Sequence, residues 1–309
     1  MPSERLFDET TLRKLEQLRL IAHKVRAGAV KGERRSVKRG TSIEFADYRD
    51  YTRGDDLRRL DWNVYARLEK PFIKLLEEEE DLTVHILLDA SESMNWPQDG
   101  MGRVGGAASV VDAHKFRYGV RLAAALAHIG LTTGDRVSVS LLAGNRVFDR
   151  WGPVRGRGQT LSMLTWMEHL QTAGMTNLNA ALADYAVRGG RAGLVLLIGD
   201  MLSPGGYRDG LNALQGRGHE VAIIHLLSPD EVEPVIVGDI RLIDSETGAG
   251  QDVTVDGAMR NLYARRLREW RGEMASYCLG RDVHYVAMET STPWEDIILF
   301  ALRRAGVVR

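Results

Sequence analysis

The feature that most constrains this chain is a set of five short, nearly uninterrupted apolar runs. They are LTVHILLD at 82–89, RVSVSLLA at 136–143, AGLVLLIGD at 192–200, EVAIIHLL at 220–227 and DVHYVAM at 282–288. Each has the length of a strand and none alternates cleanly, the pattern of strands covered on both faces. Between them lie stretches of helical periodicity: KFRYGVRLAAALAHIG, QTLSMLTWMEHL, NLNAALADYAV, YRDGLNALQG, GAMRNLYARRLREWRGEMASYCLG and PWEDIILFALRRAG. Apolar strands alternating with helices predict an α/β fold, a doubly wound and mostly parallel sheet over residues 81–309. Gly130 and Gly216 stand where helix C-caps are expected, and Thr292-Pro-Trp-Glu295 reads as a capping box with proline at the first helical position. Residues 233–256 break the alternation, and IRLIDSETGAGQDVTVD predicts a β-hairpin inserted before a long helix at about 258–279.

Residues 1–80 read differently, as an N-terminal α+β extension. Leu12, Leu15, Leu18, Ala22 and Val25 form one stripe, predicting an amphipathic helix over 9–26. A basic stretch follows (Lys31, Arg34, Arg35, Lys38, Arg39), without the interleaved aromatics of a nucleic-acid stacking platform. Short strand-like runs (Ile43, Phe45; Phe72, Ile73, Leu75) flank an Arg-Gly-Asp-Asp turn signal at 53–56. Glu77 to Glu80 read as a solvated strand edge or as ion-pair partners of the arginines. The cluster Arg49, Asp55, Asp56, Arg58, Arg59, Asp61 and Trp62 is either an ion-pair network bracing this segment or a partner-docking surface.

Charge and cysteine content narrow the function classes. Net charge is −1, with Lys+Arg at 41 and Asp+Glu at 42, so no global field draws nucleic acid or anionic lipid. Cys278 stands alone, which excludes an intramolecular disulfide and a CxxC zinc site. The N-terminus has no apolar core of a signal peptide, and no apolar run approaches the roughly 20 residues of a membrane span. A cytoplasmic protein with no membrane span is expected.

The chemistry gathers at LLDASESM, residues 87–94, where an apolar run stops at Asp89 and Ser91 and Ser93 follow. In open α/β sheets ligands bind beyond the carboxyl ends of the strands. Asp89 ends such a strand, Asp200 ends another, and Thr176 precedes a helix in AGMTNLNAAL. Two carboxylates and three hydroxyls are hard oxygen donors, suited to Mg2+ or Mn2+ and wrong for zinc. An ion so held stays electrophilic enough to take a partner's carboxylate. A turn with local Asx and Ser hydrogen bonds explains the first three residues equally well.

Other chemistries find less footing. Gly100 to Gly105 matches the letters GxGxxG but follows no strand end and opens no helix. There is no GxxxxGK[ST] and no G-x-S-x-G elbow around Ser91 or Ser93. The eight histidines show no ligand-type spacing, and His85, His225 and His284 read as structural strand residues. The alternative to a non-enzymatic module is a metal-dependent hydrolase, phosphoesterase-like, using the Asp89/Asp200 pocket.

D-x-S-x-S after a strand, a threonine before a helix and an aspartate after a later strand resemble the metal-ion-dependent adhesion site of von Willebrand factor A domains. The resemblance implies Asp89, Ser91, Ser93, Thr176 and Asp200 as metal ligands and a partner Asp or Glu completing the coordination. EFADYRDYTRGDDLRRLDWNVYAR at 44–67, KFRYGVRLAAALAHIGLTTGDRV, RLIDSETG and TSTPWEDIILFALRRAG are similar to a bacterial subset, the domain-of-unknown-function family 58. That similarity spans roughly residues 15–309 and implies an accessory of a MoxR-type AAA+ ATPase, bound to the ATPase or its client. Two departures stand out: Met175 where glycine is usual, and a long, glycine-rich link at 95–114.

Overall fold

The computed structural model describes residues 6–22, 43–52, 60–78, 82–97, 114–245 and 248–309. They form two compact units, one of Met1–Ala27 with Leu82–Arg309 and one of Gly28–Asp81. The N-terminal helix therefore belongs with the large sheet rather than with the α+β segment that follows it.

In the smaller unit, β1 (Ile43–Asp50) pairs antiparallel with β2 (Phe72–Glu78), and helix α2 (Trp62–Leu68) lies between them in sequence. The predicted turn at 53–56 and the basic stretch at 31–39 lie outside the described residues.

The larger unit is built on β3 (Thr83–Asp89), β4 (Arg136–Ala143), β5 (Arg146–Arg155), β6 (Leu194–Gly199), β7 (Glu220–Leu227) and β10 (His284–Glu289). Their order is β10-β7-β6-β3-β4-β5, and every pair is parallel except β4 with β5. The five predicted strands all form. Alternate residues explain why their sequences are continuously apolar. Ile86, Leu88, Leu194, Leu196, Ile224 and Leu226 face a core shared with α3 (Lys115–Thr132) and α4 (Thr160–Glu168), while Leu87, Val195, Leu197, Val221 and Ile223 face one shared with α5 (Leu178–Arg188) and α6 (Arg208–Gly216). With water excluded from both faces, every position on the strand gains from an apolar side chain.

Strand β5 escapes the sequence reading because it is an edge. Its residues are half-buried or exposed, and it contains Pro153, which a strand tolerates only where no ladder hydrogen bond is needed. Gly152 just before it has φ +79, and a Cβ there would lie 2.6 Å from the Val137 carbonyl oxygen, at the register shift between β4 and β5. Only glycine fits.

Several predicted boundaries move. Helix α1 spans only Glu9–Leu15. The chain then runs beside the C-terminus, with Leu20 bridged to Val308 and hydrogen bonds from Arg19 N–H to the Arg309 carbonyl (3.0 Å) and Ile21 N–H to the Val307 carbonyl (2.9 Å). Leu18, Leu20 and Ala22 are buried by that pairing rather than by a helical stripe. Gly130 lies inside α3, where a Cβ would meet Val137 at 2.8 Å, and Gly216 is the last residue of α6; the positive-φ glycines that follow these helices are Gly134 and Gly218. No capping box forms at Thr292, because the turn Trp294–Asp296 starts from Pro293 without a side-chain cap. The hairpin forms as predicted, β8 (Gly238–Ile243) with β9 (Gly250–Val255), followed by the helix Gly257–Gly280. Among the described residues no helix is long and apolar enough to cross a membrane.

Candidate functional site

Numbering only the six strands of the large sheet, the order is that of a doubly wound fold whose switch point lies between its first and fourth strands. Those two strands are β3 and β6, and they end at Asp89 and just before Asp200. Asp89 is 2 % exposed. Its Oδ1 accepts the N–H of Ser91 at 3.0 Å, the local turn that the polar spacing also allowed. Ser91 then starts a single 3-10 turn, Glu92–Met94, with Met94 buried beneath it. The Oγ atoms of Ser91 and Ser93 lie 2.9 Å apart. The turn and the row of hydroxyls thus coexist.

Thr176 comes from far along the chain, and backbone hydrogen bonds fix its arrival. Ala173 N–H donates to the Ala90 carbonyl, Glu92 N–H to Gly174 and Gly144 N–H to Met175, each at 2.7 Å, and Asn177 N–H donates to Gly144 at 2.8 Å. The segment is stitched between the Asp89 turn and the end of β4. Thr176 is buried beside Asp89, its hydroxyl donating to the Leu142 carbonyl at 3.3 Å. Gly174 takes the positive φ (+76) of this turn, whereas Met175 is 52 % exposed, so its bulk points away from the cluster.

Asp200 is fully buried. Its Oδ1 accepts the N–H of Leu202 at 3.0 Å, across Met201, whose φ of 57 is a left-handed conformation that side chains other than glycine seldom adopt. Gly199 makes room between the strands: a Cβ there would lie 2.7 Å from Asp89 Cβ and 3.3 Å from its Oδ2. Burial, and then the neighbouring Asp200 carboxylate, push the Asp89 carboxyl up to about 7. The Ser91 and Thr176 hydrogen bonds pull the other way.

Two charged residues at this site were missed from sequence. Lys115, the first residue of α3, is fully buried, and its Nζ donates to Asp200 Oδ2 at 2.8 Å and to Glu231 Oε1 at 2.6 Å. Burial alone would lower the Lys115 pKa, but the two carboxylates outweigh it and raise it. Glu231 closes a capping box with Ser228 on the turn Pro229–Val232, its other carboxylate oxygen accepting the Ser228 N–H at 2.7 Å. The letters SPDE at 228–231 carry that signal, a serine with glutamate three residues on and proline at the first helical position. No local pattern announces where Lys115 points.

His225 lies level with Gly199 on the neighbouring strand, its Nδ1 2.7 Å from the Tyr285 hydroxyl, and burial pulls its pKa down to about 4. His85 and His284 also sit in strands with partners of their own. Among the described residues no three His, Cys, Asp or Glu side chains gather into a metal-sized group. The oxygen set here is two carboxylates with hydroxyls.

Of the second predicted cluster, Asp55, Asp56, Arg58 and Arg59 lie outside the described residues, as does 98–113 of the glycine-rich link. Asp61 is an N-cap, its Oδ1 accepting the N–H groups of Asn63 (3.0 Å) and Val64 (3.2 Å). Trp62 is 62 % exposed and packs edge-on against Tyr65, and Arg49 reaches the Thr52 hydroxyl at 3.5 Å.

The profile of a family described as "Protein of unknown function DUF58" matches residues 47–273. Uncharacterized proteins of Mycobacterium bovis and Mycobacterium tuberculosis are 29 % identical over 299 residues, covering 95 % of this chain and 90 % of theirs. Among solved structures, a conserved hypothetical protein BatB from Bacteroides thetaiotaomicron aligns with a TM-score of 0.39 at 15 % identity, over 73 % of this chain and 98 % of that one. An aerotolerance-related membrane protein from Bacteroides fragilis aligns at 0.39 and 18 %, over 70 % and 96 %.

Proposed function

The chain belongs to the DUF58 family, whose description assigns no activity, and we propose that it is a non-enzymatic module binding a protein partner through one Mg2+- or Mn2+-like ion. Asp89, Ser91, Ser93, Thr176 and Asp200 hold that ion, and a carboxylate of the partner completes its coordination. The observation that carries this reading is the surroundings of Asp89. It is a buried carboxyl group that accepts the Ser91 N–H at 3.0 Å, with only neutral hydroxyls (Ser91 and Thr176) and a second carboxylate beside it. Burying such a group without a cation is costly, and a hard divalent ion supplies the missing charge to donors of the right kind. When bound, the ion offers an electrophilic position for an anionic oxygen.

The von Willebrand A-like character of the larger unit is part of the same proposal. It is supported by a cluster of this composition at the switch point of a mostly parallel sheet. The partner class, a MoxR-type AAA+ ATPase or its client, comes from the family resemblance. A hydrolase would want further acidic or histidine ligands beside Asp89, and among the described residues none assemble.

The test is a pull-down with the full chain as bait, in Mg2+ and in chelator. Capture of a MoxR-type ATPase or its client should require Mg2+ and vanish in Asp89→Ala. Capture that continues undiminished in chelator would defeat the metal-bridged mechanism.

A further inference from the structure

Lys115 has no use in the site as proposed so far, yet its placement is costly. Lysine is almost never fully buried unless paired. At the first position of a helix its charge also opposes the positive end of the helix dipole. Neither core packing nor helix formation accounts for it. Its ammonium instead sits between two carboxylates of different character. Asp200 is fully buried and belongs to the oxygen cluster, whereas the Glu231 side chain is 22 % exposed and stands on a separate capped turn. Glu231 is anchored independently of Lys115, through its Oε2 to the Ser228 N–H and through its carbonyl oxygen, which accepts from the Tyr263 hydroxyl at 2.5 Å. It therefore keeps its place whether or not Lys115 also holds Asp200.

We propose that Lys115 is the specificity-determining cation of this site: its ammonium competes with a divalent ion for Asp200, and Glu231 is the seat that retains it when the ion takes that carboxylate. The inference rests on the ion-binding reading above and deepens it. With the ion in place, three carboxylates (Asp89, Asp200 and Glu231) and one ammonium leave two net negative charges, the complement of one divalent ion. Without the lysine the pocket would carry three and bind the ion more tightly. A tethered competitor keeps the ion exchangeable, so that a partner's carboxylate contributes decisively to holding it.

The experiment uses Mn2+ as probe with the purified full chain, its dissociation constant read by calorimetry or by the signal of free Mn2+ in electron paramagnetic resonance. Lys115→Met keeps most of the aliphatic stem and removes the charge; it should bind Mn2+ at least tenfold more tightly than the wild type. Glu231→Gln leaves Lys115 only Asp200 to pair with and should weaken binding at least threefold. That weakening should shrink when Lys115→Met is already present, since there is then no ammonium to release; equal weakening in both backgrounds would mean simple charge loss and overturn the competition. If Lys115→Met fails to fold, the partly exposed Glu231→Gln still decides, because unchanged Mn2+ affinity there refutes the proposal. Should Asp89→Ala abolish binding while Lys115→Met and Glu231→Gln stay within twofold of wild type, the lysine proposal alone falls. Wild-type binding indifferent to Asp89→Ala, or no Mn2+ binding by any of the proteins, removes the ion-binding reading and this proposal with it.

Discussion

Gly199→Ala adds one methyl group at the seam between β3 and β6, where fold and site are hardest to separate. The added Cβ would lie 2.7 Å from Asp89 Cβ, about 0.8 Å short of ordinary carbon–carbon contact. The obstacle cannot swing away as a flexible chain end would, because Asp89 Cβ is fixed to a strand paired on both sides, with β4 and with β6. Either the two strands part locally or the Asp89 side chain is pushed toward the switch point. Overpacking of this kind costs about 1–3 kcal/mol. A displacement of even half that shortfall exceeds the roughly 0.2 Å within which metal–ligand distances are held, so Mn2+ affinity should drop at least tenfold although every proposed ligand remains. Gly216→Ala is the matching control. It lies at the end of α6 with nothing within 4 Å of its Cβ position, and the same substitution there should stabilise by about 0.4–1 kcal/mol. Urea unfolding and Mn2+ calorimetry on both variants give the comparison. If Gly199→Ala unfolds within 0.5 kcal/mol of wild type, a threshold set at about half the smallest expected cost, and binds Mn2+ as well as wild type, the steric argument for how Asp89 is positioned is wrong.

Two further expectations concern stability. Burial lowers His85 from 6.5 to about 4, held neutral between the Tyr185 hydroxyl (2.7 Å) and the Arg191 carbonyl (2.9 Å). A base depressed on folding means the unfolded chain takes the proton first, so its contribution is intact above pH 6.5 and is lost as pH falls toward 4, about 3 kcal/mol over that window. Urea unfolding from pH 7 to 4.5 should therefore fall more steeply in wild type than in His85→Gln, and equal slopes, or an imidazole titrating near 6.5 by NMR, would contradict it. Asp61→Ala removes the cap that satisfies Asn63 and Val64 N–H groups and should cost helix α2 about 1 kcal/mol. Hydrogen exchange of the Trp62–Leu68 amides reads that loss directly, and unchanged protection would show the cap to be idle.

The elements that were legible in the sequence are those whose signals are local. Continuous apolar runs such as LVLLIG identify strands covered on both sides, and Asn177 before LNAALADYAV marks a helix start that the structure caps with the Asn177 side chain. Elements whose stability comes from a partner were misread. Residues 18–22 look helical by stripe but are taken by the C-terminal segment, and β5, an edge strand, carries no apolar run of its own and is formed by pairing with β4. Gly130 reads as a cap because a glycine at a helix end usually is one; here the close approach of Val137 explains it.

The site divides along the same line. Sequence alone determined which donor types are on offer, since Asp89, Ser91, Ser93, Thr176 and Asp200 are oxygen-bearing residues at strand ends or before a helix, and those positions follow from local pattern. Only the tertiary structure decided that Asp89 and Asp200 share the switch point, that the 173–177 segment is stitched to Ala90 and Gly144, and that Lys115 turns its charge inward to Asp200 and Glu231. Periodicity fixes which face of its own element a residue occupies. What that face meets depends on strand order and loop closure over long stretches of chain, 85 residues between Lys115 and Asp200 and 116 between Lys115 and Glu231, and no local pattern encodes it.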